Sequence, residues 1–361
     1  MKSLVDILET TNSLDGDQLA ALLTTRDTDV VDYLHRRART VAQMHYGTGI
    51  YVRGLIELTN ICRNDCLYCG IRRSNTHVER YSLTVDQVMA CCEHGYRLGF
   101  RTFVLQGGEW GDERAAWIAD IVAEMRHRWP DCAITLSLGE HSREVYALWR
   151  DSGADRYLLR HETHNAAHYA QLHPAGMSRG HRLQCLRWLQ ELGYQVGTGI
   201  MVGSPWQTVD HLVEDLQFIV SFRPAMVGLG PFIAQHDTPL GHHPNGTIDM
   251  TTRLYSIVRL MLPGALIPST TALATLAPEG RLQGILAGAN VVMPNLSPGE
   301  IRAQYALYDG KAHSGSEAVE GLRQLEAQLA TIGYHIDWSR GDYRYNVGTQ
   351  PAALSPNEGI G

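Results

Sequence analysis

Short runs of β-type residues alternate with stretches of helical periodicity through most of the chain, and that alternation limits the fold more than any other feature. The expected strands are "YVRGLIELT" (51–59), "RTFVLQ" (101–106), "AITLSLG" (133–139), "RYLLRHE" (156–162), "YQVGTGIMVG" (194–203), "AMVGLGP" (225–231), "ALIPST" (265–270) and "NVVMPN" (290–295). Between them lie helix candidates such as "TVDQVMACCEHGYRLG", "SREVYALWRDSG" and "VDHLVEDLQFIVSF", several closing on the glycine that commonly stops a helix. Alternating βα units imply a parallel sheet. Eight of them favour a complete (β/α)8 TIM-type barrel over a doubly wound sheet, so the fold class is α/β. The barrel is expected over residues 49–310, after an N-terminal helical extension over 1–48, where Asp15 or Asp17 can cap. Residues 311–361 read as one amphipathic helix, "SEAVEGLRQLEAQLATIG", and a polar tail. That tail holds "RGDY", a cell-adhesion match that reads as chance in a chain without an export signal.

Bulk properties remove several function classes. The 361 residues carry a net charge of −7 with scattered basic residues, so nothing marks a nucleic-acid partner. No apolar run reaches bilayer length, and "MKSLVDILETTNSLDGDQ" lacks a signal-peptide core, so no membrane partner and a cytoplasmic location are expected. Seven cysteines without framework spacing fit a reducing compartment.

Three of those cysteines, Cys62, Cys66 and Cys69, crowd into "ICRNDCLYCGIRR", directly after the first expected strand. A barrel keeps its chemistry on that face. A polar loop with Arg63, Asn64 and Asp65 between the thiols is unlike a core. Zinc would want a fourth Cys or His, and His77 is the only near candidate, at a spacing unlike a zinc knuckle. Three thiolates instead suit a 4Fe–4S cluster with one iron left open. CxxxCxxC with Tyr68 before the last cysteine resembles the motif of radical S-adenosylmethionine (SAM) enzymes. The resemblance implies that the amino and carboxylate groups of SAM fill the open iron. It implies too that SAM is cleaved reductively to a 5′-deoxyadenosyl radical.

Other stretches carry polar groups toward the same end of the barrel. Gly107, Gly108 and Glu109 close the second strand; a glycine pair can be a tight turn, but it also lets backbone approach a ligand, here the methionyl amino group. Thr135 and Ser137 share one strand face, as do Arg160 and Glu162. Arg160 suits a substrate carboxylate and Glu162 a hydroxyl or ammonium of SAM, although the two could simply pair with each other. Thr270 and Thr271 could hold an anion or merely cap a helix. His161, His164, His168 and His173 read as surface or helix-face histidines, and Cys91, Cys92, Cys132 and Cys185 as core or surface thiols.

Together "LGFRTFVLQGGE", "TLSLGE", "GADRYLLRHET", "HRLQCLRWLQELGYQVGTGIMVG", "TTALATL" and "GANVVMPNLSP" resemble the HydE family of FeFe-hydrogenase maturases over roughly residues 45–310. The resemblance implies SAM contacts from Thr135, Ser137, Glu162 and Arg182. It implies a carboxylate-bearing ligand held by Arg160, Thr270 and Thr271, with Gln106 and Tyr305 lining the cavity. The implied substrate is a cysteine-bound iron–carbonyl–cyanide precursor of the diiron H-cluster. The implied partners are a reductant such as a ferredoxin or flavodoxin and other hydrogenase maturases. Some members carry C-terminal cysteines for a second cluster; here the last cysteine is Cys185, so one cluster is expected. A biotin synthase should show further cysteines on inner strands, where Thr135, Ser137, Gly197 and Thr198 stand instead. A methylornithine synthase-like mutase and a non-catalytic iron–sulfur scaffold remain as alternatives.

Overall fold

The computed structural model describes residues 1–343. Three helices come first: α1 (Lys2–Thr11), α2 (Gly16–Thr24) and α3 (Thr28–Tyr46). Asp15 caps α2 in a reciprocal box with Gln18, and Asp27 caps α3 by accepting from the Asp29 and Val30 amides. The buried stripe of α3, from Val30 through Leu34 and Ala38 to Val41, joins the core formed by the later strands and helices.

The strands are β1 (Gly49–Val52), β2 (Gly54–Thr59), β3 (Thr102–Gly107), β4 (Ala133–Ser137), β5 (Arg156–Leu158), β6 (Gln195–Val202), β7 (Met226–Pro231), β8 (Val291–Val292) and β9 (His335–Asp337). Strands β2 to β7 form a six-stranded parallel sheet in sequence order, and β8–β1–β9 form a second parallel sheet. Between β2 and β8 the helices are α4 (Val85–Arg97), α5 (Ala115–Arg128), α6 (Arg143–Asp151), α7 (Ala166–Leu172), α8 (Arg179–Glu191), α9 (Val209–Phe222), α10 (Ile248–Met261), α11 (Thr271–Leu276) and α12 (Gly280–Leu286). The last two are α13 (Gly299–Arg302) and α14 (Leu322–Thr331). Among the described residues, no helix is long and apolar enough to cross a membrane.

The expected first strand is two strands. At Arg53 the chain leaves β8 and β9 as neighbours and takes up β3, beginning at Gly54, where an added Cβ would lie 2.2 Å from Leu296 Cδ1. The expected strand over 265–270 forms no ladder. It makes only single parallel bridges, Met226 to Leu266 and Pro268 to Val291. Pro268 has no amide to donate, and the side chain of Asn290 takes the Ile267 amide instead. Leu55 bridges Asn295 in the same way. Among the described residues the strands thus form two parallel sheets linked by isolated bridges.

Side-chain alternation sorts the strands into two faces. Ile56, Leu58, Phe103, Leu105, Ile134 and Leu136 pack outward with the buried faces of α4, α5 and α6, while Ile200, Val202, Val227 and Leu229 join α9, α10 and the N-terminal helices. The other face carries polar residues in register: Glu57 opposite Gln106, and Gln106 opposite Ser137. Arg340 and Asp342 of the "RGDY" stretch are engaged internally, Arg340 with Asp155 at 2.9 Å and Asp342 with buried Arg156 at 2.6 Å.

Candidate active site

The loop after β2 carries all three cysteines, and its shape is set by side chains that replace regular backbone pairing. Arg80 donates to the carbonyls of Asn60, Ile71, Arg72 and Asn75 at 2.5–2.9 Å. Asp65 accepts from Arg72 Nε at 2.7 Å and from the amide and hydroxyl of Ser74. The Arg72 bond holds the Asp65 carboxyl well below the usual carboxylate range. Asn60 donates to Glu79 O and Gln304 O, tying the loop's root to a distant segment.

Gly108 and Glu109 press against this loop. A Cβ on Gly108 would fall 2.2 Å from Ile61 O, so only glycine permits the approach. The Glu109 amide reaches Cys62 Sγ at 3.4 Å, the Arg63 amide donates to Glu109 O at 2.8 Å, and the Arg63 guanidinium lies 2.9 Å from the Glu109 carboxylate. Gly107 ends β3 beside Thr59.

The chemistry of the donor set can be tested against a cluster. Burial pushes the Cys62 thiol up; burial and then the Cys69 charge push Cys66 far up; burial and then the Cys62 charge push Cys69 to about 12. Three thiolates that repel one another need a polycationic partner, which an iron–sulfur cluster supplies. Among the described residues, the one group of three metal-ligating side chains with atoms all within 4.8 Å does not include them, so they are too widely spread for a single ion. His77, the near zinc candidate, instead lies 2.7 Å from Asp237. The residues fit a cluster.

Arg160 and Glu162 follow β5 at the same end. Glu162 adopts φ +64°, a left-handed backbone that costs a non-glycine residue about 1–3 kcal/mol and aims its carboxylate. After burial, its charge is among the influences that raise the Cys66, Cys69 and Tyr68 values. Arg160 Nη2 lies 3.0 Å from Glu162 Oε2, yet neither atom makes an aligned hydrogen bond and Arg160 Nε has none. The Thr270 hydroxyl is likewise buried without a partner. Thr270 stands at the N-cap position of α11 but its side chain does not cap, and Thr271 opens that helix. Buried polar atoms left unpaired in this way are costly unless a ligand completes them.

Gln106 Nε2 donates to Tyr305 Oη at 3.3 Å, so the structure brings these two side chains together. Tyr68 Oη lies 3.2 Å from His173 Nε2. Arg182 is buried; it makes a short ion pair with Glu140 and donates to Arg160 O at 2.9 Å. Ser137 is partly exposed at the end of β4. Thr135 lies deeper on that face, its hydroxyl unpartnered beside a small void lined by Arg53, Arg156 and Gln195.

Two corrections follow for residues read as peripheral. His161, His168 and His173 are not surface groups but fully buried brackets. His161 bridges Thr198 and Asp215, His168 bridges Thr163 and Pro205 O, and His173 bridges Tyr169 O and Tyr68. Thr198 accordingly faces outward to His161, not the inner face assigned to it. Cys91, Cys92, Cys132 and Cys185 are all buried.

Sequence reasoning missed Glu57, a fully buried carboxylate on the inner face of β2. Lys311 Nζ reaches its Oε1 at 2.6 Å and Asn295 Nδ2 its Oε2 at 2.9 Å. An acidic residue between apolar neighbours in "LIELT" was the available signal. Glu140 was missed as well: its amide donates to Glu109 at 2.7 Å while its carboxylate holds Arg182, so it joins the cysteine loop to the Arg160 side.

Comparison with known proteins agrees with this geometry. Residues 56–219 match the radical SAM superfamily. The [FeFe] hydrogenase maturase subunit HydE of Thermotoga maritima is 42% identical over 293 residues, covering 81% of this chain and 83% of that protein. The 3-methylornithine synthase of Methanosarcina barkeri is 27% identical over 319 residues, covering 87% and 89%. The crystal structure of methylornithine synthase (PylB) superposes with a TM-score of 0.80 at 23% identity, over 92% of this chain and 97% of that one, and shares the fold. The cofactors are accordingly a 4Fe–4S cluster and SAM, and the protein is an enzyme. The chain belongs to the HydE family of hydrogenase maturases, within the radical SAM superfamily.

Proposed function

We propose that this enzyme cleaves SAM reductively and acts in assembly of the FeFe-hydrogenase diiron centre, on a cysteine-derived iron–carbonyl–cyanide precursor. The observation that carries the reading is the three-thiol loop braced by Gly108 and Glu109, together with the Arg160–Glu162 ion pair and the Thr270 hydroxyl, which keep buried atoms without an aligned hydrogen bond. The 42% identity to a HydE maturase supports the pathway and the substrate class.

Cys62, Cys66 and Cys69 would hold the cluster, which when bound supplies the electron that splits SAM into methionine and a 5′-deoxyadenosyl radical. Every other step belongs to positioning. Backbone of Gly107, Gly108 and Glu109, packed against the cysteine loop, would receive the methionyl amino group. Glu162 and Ser137 offer acceptors to SAM, with Thr135 deeper on the same face and Tyr68 alongside. Arg182, fixed by Glu140, sets the Arg160 carbonyl. Arg160, Thr270 and Thr271 would clamp a substrate carboxylate, with Gln106 and Tyr305, which meet each other, lining the same cavity. A half-buried guanidinium fork held beside Glu162, with hydrogen-bonding capacity to spare, is preorganised for such a ligand.

The bridges at 226–266, 268–291 and 55–295 support closure into a complete (β/α)8 barrel over 49–310, with 1–48 and 311–361 as extensions. A cytoplasmic setting, a ferredoxin or flavodoxin as electron donor and contact with other maturases complete the proposal.

The test is anaerobic reconstitution, dithionite reduction and assay for 5′-deoxyadenosine, followed by in vitro hydrogenase maturation with this chain as the sole source of the missing step. SAM cleavage and recovered hydrogenase activity are expected. An intact cluster without SAM cleavage would make the chain a scaffold, and conversion of lysine to methylornithine would make it a mutase.

A further inference from the structure

Outside the cysteine loop, one cluster of side chains has the composition and spacing of a metal site. Glu140, on the loop after β4, meets His181 and Cys185 of α8, and one ligand atom from each lies within 4.8 Å of the others. His181 Nε2 is 3.6 Å from Glu140 Oε2 and 3.6 Å from Cys185 Sγ. We propose that these three side chains form an accessory site for a borderline-soft divalent cation of the zinc class, with its fourth position open to solvent.

Geometry carries the inference. Zinc bonds of about 2.0–2.3 Å at tetrahedral angles separate ligand atoms by about 3.3–3.6 Å. The two measured separations fall at the upper end of that range without any movement of the backbone. His181 and Cys185 are four residues apart on one helix, so both point to the same side of it. The third ligand comes from a different element, giving the convergence from separate elements that a site requires. The cysteine thiol releases its proton to solvent as the sulfur–metal bond forms, and the thiolate and carboxylate then set two negative charges against the divalent ion and Arg182, leaving one positive charge for solvent or an anion at the open position.

Access and support also fit. Glu140 and Cys185 are buried, whereas the His181 side chain is about half exposed, so the ion would enter from the His181 side and keep a water there. The second oxygen of Glu140 is already held by Arg182, which orients the carboxylate as an outer-shell partner does in known metal sites. Cys185 otherwise meets the Tyr146 side chain and lies with its sulfur 3.7 Å from His141 O, partners that a thiolate bound to metal could keep or release. The alternative is a chance meeting of a helix-borne histidine with a core thiol. That alternative predicts no retained metal.

The site is separate from Cys62, Cys66 and Cys69, so the two can be read independently in one preparation. The full-length chain with its cluster reconstituted is equilibrated anaerobically with zinc chloride, freed of loosely bound metal and analysed for zinc and iron. One zinc per chain beyond the cluster iron is expected, with one sulfur and otherwise nitrogen or oxygen neighbours at the zinc X-ray absorption edge. Cys185→Ala and His181→Ala should each lower retained zinc at least about tenfold while iron stays unchanged. His181 is exposed enough that its replacement leaves folding intact, which keeps the test valid if Cys185→Ala expresses poorly. Absence of retained zinc in wild type with a full iron complement overturns the proposal, as does unchanged retention in His181→Ala.

Discussion

Replacing Gly108 by alanine asks whether the cysteine loop and the segment after β3 form one rigid unit. The added methyl carbon would sit 2.2 Å from Ile61 O, 2.7 Å from Ile61 C and 2.9 Å from Cys62 Cβ. Comfortable contacts of this kind begin near ~3.5 Å, so the two segments must part by about 1 Å. The first two of those atoms are backbone and cannot rotate away. Overpacking of this sort costs about 1–3 kcal/mol. The shift also draws the Glu109 amide off Cys62 Sγ, from which it is now 3.4 Å away. A displacement of about 1 Å in a reacting constellation can lower a rate about 100-fold. Gly107 supplies the control: its added carbon would meet Thr59 Cγ2 at 3.1 Å and Leu138 Cδ2 at 3.4 Å, side-chain atoms with room to give. Urea midpoints report the first effect. Single-turnover 5′-deoxyadenosine formation, normalised to cluster iron, reports the second. Gly107→Ala should keep its urea midpoint close to wild type, while Gly108→Ala loses both stability and rate. Equal behaviour of the two variants in both assays would refute the rigid-unit argument.

Other predictions follow from the same contacts. Cys66→Ala should remove both cluster absorbance and SAM cleavage, and retained cleavage would overturn the ligand assignment. Lys311→Met leaves the buried Glu57 carboxylate with only Asn295 and should cost about 3–5 kcal/mol in urea denaturation, most of it recovered in the double variant with Glu57→Gln. A loss no larger than that of an ordinary surface change would show that Glu57 has another partner. Burial raises Asp215 to about 8 and lowers His161 to about 3, against ordinary values near ~3.9 and ~6.5. Folded Asp215 keeps a proton that the unfolded chain releases, so its contribution falls as pH rises from about 4 to 8. Folded His161 lacks one that the unfolded chain holds, so its contribution rises up to about 6.5. The two offset each other below about 6.5, so stability falls from about pH 6.5 to 8. Asp215→Asn should flatten that fall, and a wild-type urea midpoint constant across the window would contradict it.

Local pattern made the strands from 101 to 231 readable, because each is a short apolar run bounded by a turn and followed by an amphipathic helix. The cysteine loop was readable for a different reason: its chemistry depends on residue spacing within a few positions. What local pattern could not convey is pairing over long separations. The break at Arg53 depends on β8 and β9, and the lost ladder at 265–270 depends on a proline opposite Val291. The buried histidines looked peripheral because their partners, Asp215, Pro205 and Tyr68, lie in other segments. Glu57 was hidden in the same way, since Lys311 and Asn295 identify it only once the chain has folded.

Strand β1 is flanked on one side by β8 and on the other by β9, both supplied from far along the chain. Its residues are therefore among the first strand residues to leave the ribosome and among the last to find hydrogen-bonding neighbours. Until residue 292 has been synthesised and released, the nascent polypeptide carries "GIYV" with both edges unsatisfied, and until residue 337 with one. Contacts of such sequence separation slow folding and prolong exposure of an aggregation-prone edge. Productive expression thus depends on keeping that early strand shielded during translation, and on intact synthesis through the last strand that covers it.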